Sequence, residues 1–501
     1  MGRRSKSLII SDFAGGLNTD TSPTSLKINE AIDLDNIFIL PSKTGFVKRN
    51  GNSAFNSSAM DSGASVHGLG YYRTVAGTEY MMTICGTKIF KSELDGTMDD
   101  ITGAVTISSG QDNIWTYNQM NDLAIFVGGN RATNVPLKWN ATGNAAVLGG
   151  TPPVGKWCVK ANNRLFIANT VANPSRINWC TLGNPEDWSG AGSGSQDVST
   201  NDGDELIGAS LQGNDHLILF KQNSSHELIA RTSPFPVFPL FDKVGAVGPN
   251  AIVNVDGIIY FITPHPRMLA TDGKQIFNFP DNINSIWDGL SKSRLKYIYG
   301  IHDKVRRLIL WFCSTANATS NDYCIVWDLE NEVWLRFTTG HKMNVASVIS
   351  DRYIYAGAYD GKVYLLDDQT TFNDASESTP TISAYFRSGW NDMDEMINSK
   401  HVPYSDFNFK TQTTGNFTFT YGYNFDSDRH SVQFNMQEAG AQWDSGTWDI
   451  SKWSGKTDQT KITHMKGNGK FFQYMLKNAN SGEQFQINRI AFPVNADAPS
   501  A

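Results

Sequence analysis

Apolar and polar positions along this chain repeat as a unit. A short strand pattern, a tight polar turn, a strongly apolar run, a loop and a further strand pattern recur seven times, with apolar runs centred on Ile84, Ile125, Ile167, Leu219, Phe261, Leu310 and Tyr355. The spacings are 41, 42, 52, 42, 49 and 45 residues, the length of one propeller blade per repeat. The polar turns before these runs carry Asn121-Asp122, Asn162-Asn163, Gly213-Asn214-Asp215, Asp256-Gly257 and Ser350-Asp351. Such residues tolerate positive φ and close hairpins. A second strand pattern follows, as in Lys88-Ile89-Phe90, Arg176-Ile177-Asn178-Trp179, Ile325-Val326-Trp327-Asp328 and Lys362-Val363-Tyr364-Leu365.

A four-stranded meander of this kind cannot bury both faces alone, so the repeats must stack around an axis and leave only short edges. The expectation is an all-β protein with a β-propeller of six, seven or eight blades over residues 61–378; a sandwich of similar strands is the competing arrangement. Residues 1–60, with one weakly helical stretch at 25–35, read as an N-terminal arm and propeller closure. From residue 379 to 501 the pattern turns to strict alternation, as in Phe417-Thr418-Phe419-Thr420-Tyr421 and Phe485-Gln486-Ile487-Asn488-Arg489-Ile490, and reads as a C-terminal β-sandwich.

Composition agrees with a folded chain of two or three domains: 501 residues, 40% hydrophobic, 12% aromatic and only 18% charged. The five cysteines, Cys85, Cys158, Cys180, Cys313 and Cys324, lack paired spacing and read as small core residues. No apolar run approaches the roughly 20 residues needed to span a bilayer, so no membrane span is expected. The basic start at Arg3-Arg4 is followed by an apolar stretch that ends at Ile10, too short for a signal peptide. A net charge of -7 argues against a surface built to grip phosphates, while allowing DNA to pass without specific binding.

Candidate chemistry is sparse. Asp202-Gly203-Asp204-Glu205 is the densest acidic group, but it sits in a polar connection and lacks the ligand spacing of a calcium loop, so it reads as a turn. Nine histidines are scattered without metal-ligand spacing, and His265 lies between Pro264 and Pro266. No nucleophile elbow or phosphate-cradling glycine loop is present. The reading is therefore of a protein that is not an enzyme, with no catalytic residue, no cofactor and no essential metal. Trp443, Trp448 and Trp453, at five-residue intervals, are the candidate contacts for a partner or glycan; the alternative places each ring on the sandwich surface beside a turn.

Two stretches carry a resemblance. Phe13-Ala14-Gly15-Gly16-Leu17-Asn18 followed by Asn36, Gly45 and Lys48-Arg49-Asn50-Gly51, and then Pro185-Glu186-Asp187-Trp188 with Asp202-Gly203-Asp204-Glu205 and His216-Leu217-Ile218-Leu219-Phe220-Lys221, are similar to the tail nozzle, tail tubular B and packaged-DNA stabilisation proteins of short-tailed bacteriophages. Asn50 stands where Pro is common in that pattern. The resemblance implies a virion tail component, made in the host cytoplasm. It implies a homo-oligomeric ring, commonly a hexamer, bound to a tail adaptor or hub protein and open to tail fibres. Such a ring extends the channel, retains packaged DNA and opens for ejection.

The alternative function is a carbohydrate-binding or receptor-binding tail propeller. The nozzle reading predicts no saturable binding on a glycan array; binding lost in Trp448→Ala would favour the alternative.

Overall fold

The computed structural model describes residues 5–41, 43–393, 397–412, 415–437 and 458–496. Between residues 51 and 368 the chain forms seven antiparallel sheets of four strands. Blade 1 comprises Val66–Arg73, Glu79–Cys85, Lys88–Ser92 and Asp99–Asp100, and blade 2 Trp115–Met120, Leu123–Gly128, Leu137–Trp139 and Ala146–Val147. Blade 3 holds Trp157–Ala161, Arg164–Ala168, Arg176–Trp179 and Gly194–Asp197; blade 4 holds Leu206–Gln212, His216–Lys221, Ser224–Ile229 and Val237–Asp242. Blade 5 is built from Ile252–Val255, Ile258–Ile262, Met268–Thr271 and Ile276–Asn278, and blade 6 from Tyr299–Asp303, Leu308–Cys313, Tyr323–Asp328 and Val333–Phe337. Blade 7 takes three strands in order, Met343–Ile349, Tyr353–Ala358 and Val363–Asp368. Its fourth is Gly51–Ala54, from before blade 1.

The first strand of each blade packs against the first strand of the next, and that of blade 7 against that of blade 1. The ring is a closed seven-bladed propeller. All seven apolar runs of the sequence are second strands, and each polar turn before them is a hairpin whose Asn, Asp, Ser or Gly residues hold positive φ, among them Asn121, Asp122, Asn162, Asn163, Asp256, Ser350 and Asp351. Second strands are apolar at successive positions because a neighbouring blade covers each face: Leu308–Cys313 and Arg164–Ala168 are buried throughout. The core accordingly lies between blades, as where Phe220 meets Phe261 at 4.7 Å between ring centroids. All five cysteines are buried and free.

The second domain is a sandwich of two sheets that draws strands from both sides of the propeller. One sheet runs Asp458–His464, Tyr404–Lys410, Gln486–Ala496, Phe46–Lys48, Ile37–Ile39, with Ser5–Ile10 and Lys400–His401 also paired to Gln486–Ala496. The other runs Gly16–Leu17, Glu30–Asp35, Ala384–Ser388, Phe472–Asn478, Asn416–Tyr423, His430–Asn435. Aromatic rings fill the space between them: Phe407 packs on Phe417 and Phe419, and Phe492 on Phe472 and Tyr474.

Two expectations for the N-terminal segment therefore change. The strands Ser5–Ile10, Gly16–Leu17, Glu30–Asp35, Ile37–Ile39 and Phe46–Lys48, in the segment read as an arm and propeller closure, belong to the sandwich, and Gly51–Ala54 closes the propeller. The stretch 25–35 is not helical; Glu30–Asp35 is a strand paired with Ala384–Ser388, because long-range pairing and burial of Ala31 and Leu34 outweigh a weak local helical preference.

The chain crosses from sandwich to propeller at Lys48-Arg49-Asn50-Gly51, and both cations there are buried. Lys48 donates from Nζ to Asn478 Oδ1 at 2.8 Å. Arg49 donates to Asn36 Oδ1 (2.9 Å), Asn50 O (2.9 Å), Thr339 O (2.7 Å) and both oxygens of Asp374, so its fork of donors is fully used. The side chains of Arg49 and Asp374 are 1% and 0% exposed. Gly51 is required because a Cβ there would lie 1.8 Å from the Asn373 carbonyl oxygen. Gly16, with φ +64, brings the sandwich against blade 6: a Cβ would lie 2.6 Å from that of Val333.

Breaking a buried pair strands the remaining charge. Arg49→Ala should lower unfolding free energy by about 3–5 kcal/mol, read as a fall in urea midpoint, and Arg49→Met/Asp374→Leu should recover most of it. A wild-type midpoint in Arg49→Ala would contradict this role.

Candidate functional site

In a meander the connection between blades and the turn between second and third strands emerge on the same side of the ring. That loop face carries the irregular, polar segments, whereas the opposite face carries the tight hairpins.

The loop between blades 3 and 4 contains the acidic group singled out in the sequence, and each of its carboxylates has a structural partner. Asp202 pairs with Lys221 Nζ, an ammonium with no exposure that also donates to the Val198 and Ser199 carbonyls at 3.1 and 2.8 Å. Asp204 accepts from the Asn223 backbone N–H at 3.1 Å and its side-chain amide at 2.9 Å. Glu205 accepts from Asn169 Nδ2 at 2.9 Å, Lys156 Nζ at 3.3 Å and Arg131 Nη1 at 3.4 Å. Gly203 turns the backbone at φ +72. The segment thus ties blade 3 to blade 4, and the bonds from Lys156 and Arg131 hold Glu205 below the usual carboxylate range against its burial. Beside it Ser199 Oγ lies 3.0 Å from His226 Nε2, and burial next to Lys221 pushes that imidazole down towards its neutral form.

Two concavities lie in the ring, one of them beside this loop. On the loop face, a pocket of about 280 Å³ lies over blades 4 to 6. Lys156, Lys292, Lys296 and Glu205 supply its charges, Gln222 and Ser293 its neutral polar groups, and Ile207, Val247 and Leu295 its apolar floor. Burial, together with Arg131 and Lys296, lowers the Lys156 ammonium from its ordinary value against the pull of Glu205. Among the described residues neither Lys292 nor Lys296 lies within ion-pair distance of a carboxylate, although Lys292 acts on Asp288 at longer range, and Lys296 rests 5.0 Å from the Tyr297 ring centroid.

On the hairpin side, a cavity of about 370 Å³ lies between blades 6 and 7 and is capped by Phe38 of the sandwich. Arg306 sits over the Phe38 ring at 4.2 Å and pairs with Asp367, whose carboxyl is raised by burial. His341 forms part of the wall. It donates from Nδ1 to the Thr339 carbonyl at 3.1 Å and packs 5.0 Å from Phe337. Burial, and then the Arg49 charge, push it down to about 3.

No family model matches the chain. No curated protein matches it either. Among solved structures it is similar to YCF48 from Cyanidioschyzon merolae, at 8% identity over 62% of this chain and 98% of that one, with a TM-score of 0.40. The Neurospora crassa Pan2 WD40 domain stands at 8% identity, 66% and 98% coverage and 0.40. A gluconolactonase from Xanthomonas campestris stands at 13%, 69% and 96%, and 0.35. None of these values carries an activity across to this chain.

Of the residues predicted from sequence, Trp443, Trp448 and Trp453 lie outside the described residues. His265 is exposed on the loop face of blade 5. Among the described residues no group of three or more His, Cys, Asp or Glu is placed to hold a metal ion. Sequence reasoning missed the lysines of the loop-face pocket. Lys292, Arg294 and Lys296 are legible as a short basic run, but Lys156 lies 136 positions before the first of them and nothing local links it to the run.

A buried neutral histidine makes stability pH-dependent in one direction. The folded state holds His341 deprotonated to about pH 3, while the unfolded chain binds its proton near 6.5. Stability is therefore full above pH 6.5 and falls as pH drops through that window, by up to about 1.4 kcal/mol per pH unit. Denaturation midpoints taken between pH 7 and 4 should fall less steeply in His341→Gln than in the wild type.

Proposed function

We propose that this protein is a structural subunit of the tail of a short-tailed phage. It would act as a nozzle-type ring component that extends the channel, retains packaged DNA and opens for ejection. The observation that supports this reading best is where the resembling residues fall. Gly16 and Arg49, one from each of the first two resembling motifs, are among the contacts that join sandwich to propeller: Gly16 against Val333, and Arg49 against Asp374 and Thr339. A ring under the pressure of packaged DNA needs domains that do not shear, and a buried charge pair beside an interlocked strand supplies that resistance.

The role requires shape and no nucleophile, so the protein acts without catalysis. It associates with further copies of itself and with an adaptor or hub protein. Net acidity keeps most of the surface from holding the DNA that passes it.

Immunogold electron microscopy of virus particles from the source lysate, with antibody against this chain, tests the reading. Label confined to the tail tip or tube is the expected result. Particles without label overturn it and move the search to glycan binding.

A further inference from the structure

We propose that the loop-face pocket over blades 4 to 6 is a binding site for a phosphate group, borne by a phosphate ester or a phosphodiester. Lys156, Lys292 and Lys296 would neutralise its charge, with Gln222 and Ser293 donating to its oxygens. This inference goes beyond the nozzle reading and stands without it.

The charges are unbalanced in a chain that is acidic as a whole. Three lysines line one concavity with a single carboxylate, and Glu205 is already engaged by Lys156 and by Arg131. Three other acids of this face are engaged by their own cations: Asp288 by Arg267 at 3.2 Å, Asp112 by Arg294 at 3.0 Å, and Asp202 by Lys221. Lys292 acts at longer range on Asp288, which Arg267 already pairs, and Lys296 lies within ion-pair distance of no carboxylate among the described residues, so the rim keeps a surplus of positive charge. Like charges gathered at a partly desolvated rim repel one another, and a multivalent oxyanion relieves that repulsion. Lysine suits the task because it acts as a mobile point charge on phosphate. Ile207, Val247 and Leu295 form an apolar floor, and the volume of about 280 Å³ leaves room beside the phosphate for a sugar-sized body.

Two elements far apart in the chain supply the cations. Lys156 precedes the first strand of blade 3, whereas Lys292 and Lys296 flank one turn of the 3-10 helix Lys292–Tyr297 before blade 6. Glu205, before the first strand of blade 4, accepts a hydrogen bond from Lys156 at 3.3 Å. Only the closed ring brings these loops to one mouth.

The test titrates the full-length protein with inorganic pyrophosphate by calorimetry, and with a short labelled DNA duplex by fluorescence anisotropy, at low salt. Saturable pyrophosphate binding is expected. Lys292→Ala/Lys296→Ala should weaken it by about tenfold or more at an unchanged melting temperature, since both side chains are exposed. Lys160→Ala/Lys274→Ala, which removes the same charge from the hairpin side, should leave it unchanged. Duplex binding that pyrophosphate displaces, or duplex binding alone that the first double variant abolishes, assigns the site to DNA backbone. Pyrophosphate binding alone assigns it to a free phosphate ester. Absence of binding by either probe, or equal loss in both double variants, overturns the proposal.

Discussion

The architecture depends on one buried ion pair. Arg49 and Asp374 meet where the chain enters the propeller and where it leaves, and every donor of the guanidinium is directed at an acceptor from one of the two domains. A charge pair in such a place is tolerated only when its hydrogen bonds are complete, because desolvating two ions is costly. Once complete, the pair fixes the register between the segment that closes blade 7 and the strands that build the sandwich. A hydrophobic contact of similar area would hold these segments together without specifying their alignment.

From that crossing the two domains follow in opposite directions. Gly51–Ala54 pairs with Val363–Asp368 and removes the open edge that a linear row of seven meanders would leave. Phe46–Lys48, a few residues earlier, pairs with Gln486–Ala496 in the sandwich. Neither domain is complete without the strands between Ser5 and Ala54. Unfolding of one therefore removes strands from the neighbourhood of the other.

Charge on the ring is arranged by face. The loop between blades 3 and 4 uses all three carboxylates of Asp202, Asp204 and Glu205 to hold neighbouring segments, so the acidic character of that stretch is spent on structure. The lysines that gather near the mouth come from loops far apart in the chain. The hairpin side, in contrast, encloses a cavity lined by apolar and charged side chains and roofed by Arg306 and Phe38, with a neutral histidine in its wall. Opposite faces of one ring thus present different chemistry.

The sequence by itself determined the local units: seven apolar runs became seven second strands, and Asn162-Asn163 or Ser350-Asp351 became hairpins, because positive φ and burial are written into adjacent residues. It also carried the alternation of Asn416–Tyr423 and the inert, buried cysteines. The number of blades and the fate of residues 5–48 were decided by tertiary structure. Whether a strand such as Glu30–Asp35 forms depends on Ala384–Ser388, more than 340 residues away, and no local propensity encodes that partner. The same holds for the loop-face pocket, whose lysines share a mouth only after ring closure, and for Lys48 and Arg49, which are sealed because two domains close over them.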